Sequence, residues 1–107
     1  MKNTDRKPHR AHNKLLREAQ TNIVHLQANI NYTTFFLQTG KHHTMSYNLA
    51  VYSTILPETF IRVNRSCIIN KNFIERLNPA DKNITMKDGT VFKISRRRWN
   101  EVSDNVA

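Results

Sequence analysis

The sequence predicts a mostly β domain with one clear helix, and three observations carry that prediction. Short runs dense in β-branched and aromatic residues recur along the chain, separated by turn signals such as Thr39-Gly40 and Lys87-Asp88-Gly89-Thr90. Only residues 48–56 combine an N-cap, apolar residues at helical spacing and a proline stop. Residues 60–70, FIRVNRSCIIN, hold two β-prone runs on either side of the polar Asn64-Arg65-Ser66.

Residues 1–10 are polar and basic and are expected to order only on binding, within a flexible arm over residues 1–14. Residues 11–20 suit a short helix or a strand equally well. From Ile23 the alternation becomes β, with Val24, Leu26 and Ala28 on one face. Asn29-Ile30-Asn31 reads as a turn, residues 32–38 as a strand, and Thr39-Gly40 as a hairpin turn into residues 41–47. In the helix, Asn48 is the cap, Leu49, Tyr52, Ile55 and Leu56 share a face, and Pro57 ends it. Lys71-Asn72 turns the chain into residues 73–77, residues 78–82 form a loop, and residues 83–86 and 91–95 make the last hairpin. Arg96-Arg97-Arg98-Trp99 opens a terminus with a helical turn or two, and residues 104–107 are a polar tail.

Within residues 60–70, Ile61, Val63, Cys67 and Ile69 share one parity, the pattern of a strand with a buried face. Arg65 has that parity too. A straight strand would bury an unpaired guanidinium at a cost of several kcal/mol, so a turn at residues 64–66 is expected to throw Arg65 outward. A forked donor on a short loop between packed strands suits a phosphate or a guanine edge.

Charge narrows the partner class. Seventeen Lys and Arg face eight Asp and Glu, a net charge of +9. Residues 1–20 hold +4 and residues 58–98 hold +6, while residues 21–57 carry only Lys41. Nucleic acid is the leading partner for such a surface. At 107 residues the chain is one domain, with no apolar run long enough to span a bilayer and no signal-peptide core. Cys67 is the only cysteine, so no intrachain disulfide forms, and a cytoplasmic location is expected.

Sites of chemistry are hard to assemble. A phosphate-binding glycine loop, a CxxC pair and the HExxH signature are all missing, and the acidic residues are scattered singly, so neither an enzyme nor a bound cofactor is expected. His42 and His43 are strand neighbours that point to opposite faces, a poor metal pair. His25 reads as a half-buried strand residue paired to backbone, and Cys67 as a small core residue. Tyr32, Phe35, Phe36, Phe60 and Phe73 read as core aromatics rather than base-stacking platforms.

Taken in order, residues 28–33 (ANINYT), Leu56-Pro57 before residues 60–70, Asp88-Gly89, and residues 94–98 (ISRRR) resemble the LytTR family of DNA-binding domains. The resemblance covers about residues 15–103. It implies an elongated β-sandwich of about ten short strands with one short helix, typically the output domain of bacterial response regulators. It further implies double-stranded DNA read through loops placed in successive major grooves, with bending of the duplex. Carried over by position, Thr33, Arg65 and Arg97 become the base readers. Asn31, Asn64, Ser66, Lys71, Ser95, Arg96 and Arg98 become backbone or supporting contacts. Asn64 stands where many members carry histidine. The resemblance also implies pairing on direct repeats, with at most a weak dimer in solution. The chain is too short to hold a receiver domain as well, so control by its own phosphorylation is not expected. The competing reading is a basic module that binds RNA or protein through the arm at residues 1–20.

Overall fold

The computed structural model describes residues 16, 17 and 21–106, so the arm expected over residues 1–14 lies outside the described residues. Of the ambiguous residues 11–20, Leu16 and Arg17 are helical, and Leu16 packs against the core. The elements follow in the order β1 (Ile23–Asn29), β2 (Tyr32–Leu37), β3 (His42–Met45), α1 (Leu49–Ile55), β4 (Phe60–Asn64), β5 (Cys67–Asn70), β6 (Ile74–Asn78), β7 (Asn83–Met86), β8 (Val91–Lys93) and α2 (Trp99–Val106). Single 3₁₀ turns occupy Lys71–Phe73 and Arg96–Arg98. The fold is mostly β, with eight strands among the described residues, and it is elongated, about 50 × 29 × 22 Å.

The strands form two antiparallel sheets. Five pair in the order β3-β2-β1-β5-β4, and three in the order β6-β7-β8. The larger sheet is covered on both faces. On one side Ile23, Leu26, Phe35, Phe60 and Ile68 pack against Leu49 and Tyr52 of α1. On the other, Val24, Ile61, Val63, Cys67 and Ile69 meet Ile84, Met86, Phe92 and Ile94 of the smaller sheet region and Val102 of α2. Burial on both faces explains why β5 reads Cys-Ile-Ile without alternation.

Local signals explain most boundaries. Asn48 Oδ1 accepts from Val51 N at 3.0 Å, capping α1, and the helix ends at Ile55, two residues before Pro57. Gly40 and Gly89, both at φ +92°, supply the left-handed residues of their turns, and Asp88 Oδ1 accepts from Thr90 N at 2.9 Å.

Four expectations are corrected. The β1 alternation slips at a bulge between Ile23 and His25, so Val24 faces the smaller sheet while Leu26 faces α1. His25 is buried, not half-buried, and its Nδ1 has no hydrogen-bond partner among the described residues; its ring stacks on Phe36 at 4.3 Å. Burial pulls its pKa below the usual 6.5, against the opposing influence of Asp88 and Gln27. Residues 104–106 are the last turn of α2, with Val106 packed on the core, rather than tail. Of the aromatics, Phe35 and Phe60 are buried, whereas Tyr32 is 51% exposed.

Candidate nucleic-acid interface

The β4–β5 connection is built by the sequence Arg62-Val63-Asn64-Arg65-Ser66. Arg62 pairs with Ile68 and Asn64 with Cys67, so Val63 is an extra residue on β4. Ile61, Val63, Cys67 and Ile69 all face one core, while the slip sets Asn64 opposite Cys67 and leaves Arg65 exposed in a tight turn. Asn64 closes the turn, its Oδ1 accepting from Ser66 N at 2.8 Å. Arg62 braces it from beside: Nε donates to the Asn64 carbonyl at 3.2 Å and Nη2 to the Arg65 carbonyl at 2.7 Å.

The same asparagine ties this turn to the next basic segment. Asn64 Nδ2 donates to the Lys93 carbonyl at 2.7 Å, and Ser95 N donates to the Val63 carbonyl at 2.9 Å. Arg98 N then donates to the Ser95 carbonyl at 3.0 Å, opening the 3₁₀ turn that presents Arg96 and Arg97 to solvent. Arg98 is half-buried and turns toward Arg62. Burial first, then the like charges of Arg98 and Arg65, draw the Arg62 guanidinium below its ordinary pKa. Cations are thus concentrated along one edge of the molecule.

The β1–β2 turn reaches that edge as well. Gln27 lies opposite Cys67, and Ala28 N donates to the Ser66 carbonyl at 2.8 Å. Two residues further on, Ile30 and the exposed Asn31 form the tip. The β1–β2 turn, the β4–β5 turn and the segment after β8 therefore share one edge.

The profile of the LytTr DNA-binding domain matches residues 13–106. The chain belongs to the LytTR family. A stretch of 58 residues, 50% of the chain, is 38% identical to the sensory transduction protein LytT of Bacillus subtilis (strain 168), of which it covers 24%. The LytTR chain thus spans about a quarter of that relative's length. A LytTr DNA-binding domain from a Bacillus cereus protein described as a methyl-accepting/DNA response regulator shares the fold, with a TM-score of 0.69. It is 23% identical, and the match covers 80% of this chain and 81% of that one.

Within this LytTR domain two expected residues are placed elsewhere. Thr33 is fully buried in β2, and its hydroxyl donates to the Tyr47 carbonyl at 2.8 Å. Its side chain is therefore not presented at the basic edge. Lys71 follows β5 at the far end of the β4–β5 hairpin from Arg65, away from the basic edge. Arg62 went unnoticed in the sequence, although a long donor two and three residues before turn carbonyls was its available signal. Ile30, 91% exposed at the tip, was read only as turn.

Among the described residues no group of three His, Cys, Asp or Glu is placed to hold a metal ion, and no helix is long and apolar enough to cross a membrane. His42 and His43 are exposed on the edge strand β3. Burial raises the Cys67 thiol pKa, which favours its unreactive form.

Proposed function

We propose that this LytTR domain is a sequence-specific, double-stranded-DNA-binding transcription regulator that reads major grooves through its loops and bends the duplex. Arg65 and Arg97 read base edges, each bidentate contact with guanine contributing about 1–3 kcal/mol of discrimination. Arg96 and Arg98 meet phosphates, which set affinity and its salt dependence. Asn64, Ser66 and Ser95 orient the two arginine-bearing turns, and Asn31 is a polar contact at the third loop. Two copies sit side by side on direct repeats, each monomeric or weakly dimeric when free. Its cytoplasmic location follows from that role.

One observation supports this reading above the others: the two basic turns are held to each other by Asn64 Nδ2 to the Lys93 carbonyl and Ser95 N to the Val63 carbonyl. A solvated charge run has no need of such bracing, whereas base readout requires guanidinium groups held in a fixed frame.

The test is selection of bound duplexes from a randomised DNA pool at two salt concentrations. A short enriched motif, repeated at about one helical turn and retained at the higher salt, is the expected result. Binding that is salt-sensitive and without a motif contradicts the proposal, since only the phosphate contribution then remains. The +4 charge of residues 1–20 favours a second reading, RNA or protein binding through that arm. A chain starting at Leu15 separates them: retained sequence preference supports DNA readout by the loops, and complete loss of binding supports the arm.

A further inference from the structure

The β1–β2 turn joins Asn29 to Tyr32 through two residues, Ile30 and Asn31. Ile30 has φ +53°, while Asn31 is not in the left-handed region. Positive φ at the first central position alone is the pattern of a type II′ turn, whose favoured residue there is glycine. A β-branched side chain is a genuine outlier in this region. Nor does the fold recover anything from it, because Ile30 is 91% exposed, the most exposed of the large apolar residues among the described residues. An unfavourable residue that stabilises nothing inside the molecule points outward, to something it touches.

The turn lies beside the basic edge. Ala28 N bonds the Ser66 carbonyl at 2.8 Å, and the tip is two residues beyond, about 7 Å along the strand. We infer that Ile30 is an apolar specificity residue that meets the C5-methyl group of a thymine in the groove occupied by the first loop. This rests on the DNA reading above and adds to it a base class that the arginines do not select. Thymine alone presents a methyl group in the major groove, and an aliphatic side chain is its complement. Asn31 beside it supplies the polar contacts the same groove requires.

The experiment takes a duplex selected with the full chain and replaces each thymine in turn by deoxyuridine, which removes only the methyl group. At one or two positions the parent protein is expected to lose about fourfold in affinity, the equivalent of the ~0.8 kcal/mol of one buried methyl. Ile30→Gly is expected to bind the unmodified duplex correspondingly less well and to be indifferent to uracil at those positions. Its melting temperature should rise, because glycine accepts φ +53° freely. An Ile30→Gly protein with the parent's affinity and uracil profile overturns the inference. So does a loss confined to duplexes carrying two sites, which assigns Ile30 to a second copy of the chain. Failure of the DNA reading itself is distinguishable, since the parent then binds selected and scrambled duplexes equally.

Discussion

Two turns sit side by side on the same edge of this domain and are built in opposite ways. The Arg65-Ser66 turn is held by side-chain hydrogen bonds at every step: Asn64 to Ser66 N and the Lys93 carbonyl, and Arg62 to the carbonyls of Asn64 and Arg65. The Ile30-Asn31 turn is joined to that edge through the backbone bond from Ala28 to Ser66, and a strained, exposed isoleucine stands at its tip. The difference follows from what each would present. A guanidinium discriminates by the direction of its donors, so its backbone must be fixed. An aliphatic side chain discriminates by shape and exclusion of water, so reach matters more than bracing.

Breaking the braced turn should have the largest effect. Asn64→Ala removes bonds to two separate backbone groups, one of them across to β8. It is expected to lower stability by about 1–3 kcal/mol in urea unfolding and to weaken binding to the selected duplex more than to a scrambled one. Equal weakening on both duplexes would show that the brace does not orient the arginines.

A smaller effect is expected on the other side. Thr33→Val keeps the shape of a fully buried residue but leaves the Tyr47 carbonyl without its 2.8 Å donor. The stability loss should be about 0.5–1.5 kcal/mol, with specificity for the selected duplex unchanged. A change in base preference would return Thr33 to the interface and sink its structural assignment.

The smallest effect lies between the sheets, where His25 is buried against Phe36 and Phe92. Its folded-state pKa lies below 6.5, so below that pH the unfolded chain binds more protons than the folded one. Stability should therefore fall as pH drops through 6.5 toward the folded value, and His25→Phe should flatten that slope. An unaltered slope in the variant would assign the pH dependence to other groups, such as Asp88, whose pKa is held down chiefly by Thr90.

The sequence made the basic edge legible wherever a side chain's cost depended on its immediate neighbours. The parity of Ile61, Val63, Cys67 and Ile69 forced Arg65 outward, and the structure places it there. The Asn48 cap, Pro57 and the Asp88-Gly89 turn marked their boundaries for similarly local reasons. What stayed hidden was decided at a distance. The bulge in β1 depends on pairing with β2 and reverses the face of Val24, which no alternation rule can register. Thr33 can be buried at low cost because Tyr47, fourteen residues later, offers its hydroxyl a carbonyl. Arg62 drew no reading of its own, because the carbonyls it binds come together only when the turn closes.

The most direct measurement compares the parent with Arg65→Ala and Arg97→Ala on selected and scrambled duplexes across a range of salt. Both arginines are exposed, so the variants should unfold like the parent. Each should lose about 1–3 kcal/mol on the selected duplex and far less on the scrambled one. If both duplexes weaken in parallel and the salt slope falls by about one for each arginine removed, these residues contact phosphates alone. The assignment of Arg65 and Arg97 as base readers is then wrong.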